Sequence, residues 1–301
     1  MSDQDVIHRG PKDGINFECS WENAYLQAHL ISDVGKKREG NEDSCLLFAP
    51  GSQDIRKSRG YLVAVADGMG GASAGEHASN LALTTLSEQF YNGATTGIPE
   101  HLIESIEVAN RTVYDESESD VELQGMGTTL TSMSIQGDCA YIGQVGDSRV
   151  YLQRRNTGLI QVTEDHSLVA EQVRGGIISE EEAKNHSLKN LITRAIGIKQ
   201  GVDVDLFSLR LVKGDTLLMC SDGLCNMVED VEISEGLQLD TLQTAARLLV
   251  GQALEAGGQD NISVAIIRVT GTPPKTEMQP GGTEIIAPTP GFWTSLRGLL
   301  S

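Results

Sequence analysis

The chain has no Cys-x-x-Cys and an odd number of cysteines: Cys19, Cys45, Cys139, Cys220 and Cys225. That spacing supports neither a disulfide framework nor a zinc–sulfur site. Cys139 and Cys220 lie inside apolar runs, where a thiol reads as a small core hydrophobe in a reducing compartment. No apolar run approaches the roughly 18 residues of a membrane span. Met1-Ser2-Asp3-Gln4-Asp5 lacks the basic start and apolar stretch of a signal peptide, so a cytoplasmic protein is expected. Positive charge is scarce: 23 Lys and Arg stand against 42 Asp and Glu, a net charge of −19. There is thus no basic footprint for nucleic acid, and anionic lipid would be repelled. The acidity serves solubility, and it suits divalent cations or basic protein segments as partners. Gly-x-x-x-x-Gly-Lys-[Ser/Thr] is missing, which argues against a P-loop nucleotide hydrolase. The six histidines do not cluster. His77 and His101 read as solvated helix residues, and His166 as a hydrogen-bonding residue rather than a proton donor. No internal repeat is evident.

What is present is a globular composition, 39% hydrophobic and 22% charged, over 301 residues. Residues 1 to 20 are polar and unperiodic and read as a loose leader. Strands are expected at 24–31, 44–49 and 61–66, the last two joined by a polar hairpin loop over 51–59. Tyr61 to Ala66 is continuously apolar, as in a strand covered on both faces. Helical periodicity follows at 75–90 and 99–115, predicting two helices paired on one sheet face. Further strands are expected at 128–135, 139–145, 149–152, 204–209, 216–220 and 262–269, with a helix at 242–254. The polar stretch from Asp165 to Gly197 reads as helical, broken by Gly175-Gly176. Strands grouped without strict βαβ alternation indicate an α+β sandwich rather than a doubly wound sheet. Residues 271–301 form a Pro/Gly-rich, spacer-like tail with an apolar tip at Phe292, Trp293, Leu296, Leu299 and Leu300.

Acidic segments stand at the ends of the apolar runs. They are Ala66-Asp67-Gly68-Met69-Gly70-Gly71, Ser221-Asp222-Gly223 and Asp260-Asn261, with Gly146-Asp147-Ser148-Arg149 between two more runs. Buried strands that each finish in a carboxylate gather those carboxylates at one rim of a sheet. Isolated they would repel, so such a cluster needs divalent cations. Upstream, Arg38 precedes Glu42 and Asp43 in a glycine-containing loop. An arginine fork suits a phosphate because it binds two oxygens at once. Taken singly, an Asp-Gly pair is a turn signal, and Asp33 reads as a loop residue.

The ordered set, Arg38 with Glu42-Asp43, then Asp67-Gly68-Met69-Gly70-Gly71, Gly146-Asp147-Ser148-Arg149, Ser221-Asp222-Gly223 and Asp260-Asn261, resembles the metal-dependent PPM (type 2C) serine/threonine phosphatases in their bacterial form. Met126-Gly-Thr-Thr129, Glu164-Asp-His-Ser-Leu168 and Asn190-Leu-Ile-Thr-Arg-Ala-Ile-Gly197 extend the resemblance, which runs from about Leu26 to Val269. It implies a four-layer α-β-β-α sandwich, two antiparallel sheets flanked by helix pairs. It also implies an N-terminal extension over 1–23, a phosphatase domain over 24–270 with a flap near 165–191, and the tail.

By the resemblance, Asp67 bridges two core Mn²⁺ or Mg²⁺ ions and Gly68 gives one of them its carbonyl. Asp222 and Asp260 complete the other site, while Glu42 and Asp43 hold metal-bound waters or ligate directly. Asp147, with Asp222, forms a third, weaker site, and Arg38 grips the substrate phosphate. The implied reaction is hydrolysis of phosphoserine and phosphothreonine by a metal-bridging water or hydroxide, on proteins phosphorylated by a serine/threonine kinase. A phosphatase of small phosphorylated metabolites, or a non-catalytic regulatory module of the same fold, are the rival readings. Met69 stands where many eukaryotic members carry His, so no general acid is assigned.

Overall fold

The computed structural model describes residues 4–12, 14–93, 97–155 and 157–285. Its strands are β1 (Val6–Gly10), β2 (Phe17–Glu22), β3 (Leu26–Asp33), β4 (Asp43–Ala49), β5 (Tyr61–Met69), β6 (Gly127–Thr128), β7 (Leu130–Gln136), β8 (Cys139–Val145), β9 (Arg149–Arg154), β10 (Gly158–Gln161), β11 (Asp205–Arg210), β12 (Thr216–Cys220), β13 (Ile262–Val269) and β14 (Thr283–Glu284). The α-helices are α1 (Gln53–Ser58), α2 (Ala72–Asn92), α3 (Ile98–Ser119), α4 (Leu168–Arg174), α5 (Glu180–Lys184), α6 (Asp222–Cys225), α7 (Asp230–Leu237) and α8 (Leu242–Glu255).

One sheet runs β1-β4-β5-β7-β8-β11-β14, with β6 attached to the end of β5; the other runs β10-β9-β12-β13-β3-β2. Every pairing is antiparallel except β11 with β14. Alternate residues of the two inner faces, among them Leu30, Leu47, Val63, Val65, Ile142, Leu217 and Ala265, meet in a buried core between the sheets. The outer face of the first sheet packs on the paired α2 and α3 through Ala78, Leu86, Phe90, Leu102, Ile106 and Tyr141. The outer face of the second packs on α7 and α8 through Ile233, Leu249, Ala253, Val264 and Ile266. The result is the expected four-layer sandwich, with both sheets doubly covered, which is why β5 and β13 are apolar at nearly every position.

Several expectations are corrected. Residues 6–22 are not a loose leader: β1 pairs with β4, and β2 pairs with β3. The signal was an alternation too mixed in polarity to stand out, since Phe17, Cys19 and Trp21 face inward and Glu18, Ser20 and Glu22 outward. The 51–59 loop contains α1, capped by Ser52. The spacer-like stretch after 271 lies on the domain as far as it is described. Thr276 N–H donates to Asp138 Oδ1 at 2.7 Å, Gln279 N–H donates to the Tyr141 hydroxyl at 2.8 Å, and Ile285 N–H donates to the Ser208 carbonyl at 2.7 Å. The apolar tip at 292–300 lies outside the described residues. His101 is buried, with Nε2 3.1 Å from the Phe90 carbonyl, and His77 pairs with Glu116 at 3.0 Å. Most of the 165–197 stretch is turns around the short α4 and α5.

Candidate active site

Antiparallel register puts Asp43, the first residue of β4, directly opposite Asp67 near the end of β5. Residues paired this way have Cα atoms roughly 5 Å apart, so two carboxylates are forced together by backbone hydrogen bonding. Asp67 is fixed at its peptide group. Its N–H donates to Thr129 Oγ1 at 2.9 Å, and its carbonyl accepts from Thr129 N–H at 2.8 Å and Thr128 Oγ1 at 2.9 Å. The hydroxyls of Thr128 and Thr129 therefore fix the Asp67 backbone. Gly68 is required by close approach: a Cβ there would lie 2.2 Å from the Gly75 carbonyl and 2.5 Å from that of Glu42. Gly75 admits Glu42 in turn, since its own Cβ would fall 2.1 Å from Glu42 Oε2.

The other carboxylates arrive from the second sheet and from a hairpin. Asp222 opens α6 just past β12, and Asn226 Nδ2 donates to its Oδ2 at 2.9 Å. Asp147 sits in the turn between β8 and β9 and is 8% exposed. Asp260 precedes β13, which is paired with both β3 and β12. Asn261 knits these segments together: Oδ1 accepts from Glu42 N–H at 2.8 Å, and Nδ2 donates to the carbonyls of Val34 at 2.9 Å and Gly40 at 3.0 Å. Ser221 Oγ donates to Asp43 Oδ2 at 2.7 Å and accepts from Ser263 N–H at 3.0 Å. Asp33 is a loop residue, accepting from Gly35 N–H at 2.8 Å.

Arg38 and Arg149 compensate the negative charge at this rim only in part. Burial pushes the Asp43 carboxyl up to about 7, and the neighbouring Asp222 and Asp260 charges add to the shift against two serine hydrogen bonds. Burial, then the Asp222 and Asp165 charges, push Asp147 up to about 8. Asp222 is pushed up to about 6 by burial and by Asp260, although it lies within hydrogen-bonding reach of Asp67. Asp67 is raised well above the usual carboxylate range by burial and then by Asp43, Asp222, Asp147 and Asp260 together. Glu42 is raised as well, chiefly by burial. Asp43 Oδ1 is buried without a hydrogen-bond partner. Mutually destabilised carboxylates with an orphaned oxygen fit a hard divalent cation, which binds oxygen donors and removes the repulsion. Among the described residues no three carboxylate, imidazole or thiol side chains are already drawn tightly enough together to form a closed metal cage. Asp260 is turned instead toward Arg38, whose Nη2 donates to its Oδ2 at 2.8 Å.

Of the residues expected from sequence, Asp43, Asp67, Asp147, Asp222 and Asp260 thus share one electrostatic neighbourhood, with Glu42 and Arg38 at its edge. Met69 lies in the backbone ladder opposite Gly127. Residues whose roles the sequence did not reveal are Gly75, Thr128, Thr129, Ser221 and Ser263. Ser221 stands inside an acidic motif and Thr128 and Thr129 inside the Met126–Thr129 stretch, whereas Gly75 and Ser263 only lie a few residues from Gly71 and Asn261.

A family model described as Protein phosphatase 2C matches residues 37–254. The serine/threonine phosphatase Stp of Listeria monocytogenes is 40% identical over 247 residues, which is 80% of this chain and 95% of that protein. The serine/threonine phosphatase Stp1 from Staphylococcus aureus superposes with a TM-score of 0.75 at 32% identity, covering 82% of this chain and 96% of its own. The catalytic domain of the serine/threonine phosphatase PstP, solved in complex with two manganese ions, gives 0.71 at 35% identity over 82% of this chain and 99% of its own.

Proposed function

This chain belongs to the protein phosphatase 2C family and is a metal-dependent serine/threonine protein phosphatase, and from that premise we propose how its own residues divide the work. The cofactor is Mn²⁺ or Mg²⁺ as two core ions, which when bound supply an activated water and neutralise phosphoryl charge. Asp67, with the Gly68 carbonyl, Asp222 and Asp260 would hold the core ions. Glu42 and Asp43 would orient the water around them or bind directly, and Asp147 with Asp222 would hold a third, weaker ion. The observation that carries this assignment is the Asp43–Asp67 pair, locked face to face by register, with Asp222 and Asp147 converging on it from other segments.

Arg38 takes the substrate phosphate. Its guanidinium is half exposed and already presents one edge to the site through Asp260. A bidentate phosphate is a better partner for a planar fork than a single carboxylate oxygen, so a bound phosphoryl group would displace Asp260 from Arg38 and free that carboxylate to serve as an ion ligand. Water adds to phosphorus, the serine or threonine oxygen leaves, and inorganic phosphate and the free hydroxyl result. Met69 cannot donate a proton, so it is not the group that protonates the leaving oxygen.

The substrates are phosphoserine and phosphothreonine proteins made by a serine/threonine kinase, and the cellular site is the cytoplasm. No helix among the described residues is long and apolar enough to cross a membrane. The phosphatase domain takes in 24–270, with β1 and β2 of the 1–23 extension and the start of the 271–301 tail laid against it. The test is turnover of p-nitrophenyl phosphate and a phosphothreonine peptide with and without Mn²⁺, for wild type and Asp67→Asn. Loss of Mn²⁺-dependent turnover in the variant is expected. Wild-type turnover in Asp67→Asn would remove Asp67 from the metal site, and preference for phosphometabolites over the peptide would favour the metabolite reading.

A further inference from the structure

The turn that carries Asp147 is gripped from outside by two consecutive residues that no catalytic role accounts for. On one side His166 and Gly146 are doubly bonded: His166 N–H donates to the Gly146 carbonyl at 3.0 Å, and Gly146 N–H donates to His166 Nδ1 at 3.0 Å. Because Nδ1 accepts, the imidazole proton is on Nε2. That nitrogen donates to Asp205 Oδ2 at 3.0 Å, on β11. Arg194 fixes Asp205 in turn, reaching Oδ1 at 2.5 Å and the Asp203 carbonyl at 3.1 Å. His166 is 2% exposed, so water cannot easily replace these partners.

On the other side Asp165 holds Arg149 with two parallel bonds, Nε to Oδ1 at 2.9 Å and Nη2 to Oδ2 at 2.7 Å. Arg149 Nη1 also donates to the Tyr151 hydroxyl at 2.9 Å. Gly146 and Arg149 are the two ends of the four-residue turn, so Asp165 and His166 pin both. The inner side is bound too: Ser148 Oγ shares a hydrogen bond of 2.8 Å with Thr129 Oγ1, the hydroxyl that receives the Asp67 N–H. At Gly146 φ is +110°, and a Cβ would lie 2.6 Å from Thr129, so the turn has no room to reseat.

Asp165 and His166 are also where the flap is rooted. The stretch that follows returns to them: Thr193 N–H donates to the His166 carbonyl at 2.8 Å, and Leu168 N–H donates to the Leu191 carbonyl at 2.9 Å. We propose that Asp165 and His166 are positioning residues, a two-pronged clamp by which the flap root holds the Gly146–Arg149 turn so that Asp147 can bind a divalent cation. The inference rests on reading Asp147 as a ligand.

The test compares two amides at position 166. In His166→Asn the side-chain oxygen can occupy the place of Nδ1 and keep the Gly146 N–H bonded. In His166→Gln the longer amide reaches toward Asp205 and leaves that N–H unpaired. Mn²⁺ binding is measured by isothermal titration calorimetry, alongside amide hydrogen exchange over residues 146–148. Outer partners of a metal ligand typically change affinity by about 10- to 100-fold. His166→Gln should therefore weaken the Mn²⁺ site that is lost in Asp147→Ala by about tenfold or more and speed exchange in the turn. His166→Asn should stay within about threefold of wild type. Unchanged Mn²⁺ affinity in His166→Gln, even with a lowered Tm, would reduce His166 to a structural role and overturn the clamp. Should His166→Gln fail to fold, the isosteric Asp165→Asn decides in the same assay, with unchanged affinity again the overturning result. If Asp147→Ala itself keeps every Mn²⁺ site at wild-type affinity, Asp147 is not a ligand, and the inference falls with that reading.

Discussion

Replacing one buried carboxylate should make the metal-free protein more stable while destroying its activity. Asp222→Asn is the cleanest case, because the amide keeps an oxygen to accept from Asn226 Nδ2, which donates at 2.9 Å. In the folded chain Asp222 is pushed up from 3.8 to about 6 by burial and the Asp260 charge. A carboxyl whose folded pKa exceeds its unfolded value carries no penalty below the unfolded pKa. The penalty grows as pH rises between the two values and is complete above the folded one. At about 1.4 kcal/mol per pKa unit the upper bound is about 3 kcal/mol. Residual exposure at the mouth of the site reduces this to about 1–2 kcal/mol, or a Tm higher by about 2–4 °C for a chain of this size.

The assay is differential scanning calorimetry in EDTA across pH. The difference, variant minus wild type, should be near zero around pH 4 and positive above about pH 6, growing further as Asp43 and Asp147 ionise toward about 7 and about 8. Saturating Mn²⁺ should reverse the order, since a ligand at a hundredfold excess over its Kd adds about 2.7 kcal/mol to the wild type and less to a variant missing a ligand. If Asp222→Asn is less stable than wild type in EDTA at pH 8, or if Mn²⁺ fails to invert the ranking, the carboxylates are not in electrostatic conflict and the cation site is wrongly drawn.

Arg38→Ala should raise KM for a phosphothreonine peptide more than it lowers kcat; an unchanged KM would take Arg38 out of substrate binding. Gly75→Ala should displace the Glu42 carboxylate, whose Oε2 lies 2.1 Å from the new Cβ, and cut kcat while Tm moves by no more than a few degrees, because alanine favours a helix by about 1 kcal/mol. A Gly75→Ala enzyme with wild-type kcat would show that Glu42 contributes nothing to turnover. Asn261→Ala removes three hydrogen bonds that tie Glu42, Val34 and Gly40 to β13, and should cost about 2–4 kcal/mol in urea unfolding. A loss under about 1 kcal/mol would mean that those loops are held by other contacts.

Much of the fold was legible because the sandwich buries both faces of its sheets. The continuous apolar run at 61–66, the strands expected at 139–145 and 262–269, and the helical periods at 75–90, 99–115 and 242–254 all mark real elements. Where side chains alternate with mixed polarity, as in β2, or where an element is only four to eight residues long, as in β10, α6 and α7, the pattern is too brief to separate from loop. His101 shows the same limit at one residue. Its polarity suggested solvent, but the ring is stacked on Phe90 with centroids 5.6 Å apart.

The sequence by itself singled out this set of acids, because each stands at one end or the other of an apolar run and a strand end can present its side chain only at a sheet rim. It pointed too to oxygen donors, since the chain has no Cys-x-x-Cys and its histidines do not cluster. Only the tertiary structure decided which acids face one another. Asp43 meets Asp67 through a β4–β5 register set by pairings along the whole strand, and Asp222 joins them because two separate sheets stack. It likewise decided that Arg38 bonds Asp260, 222 positions away, rather than Glu39 or Glu42 nearby. The reason is physical: one-dimensional pattern fixes which face and which end a side chain occupies, while its charge partners depend on distances that only packing brings within a few ångströms.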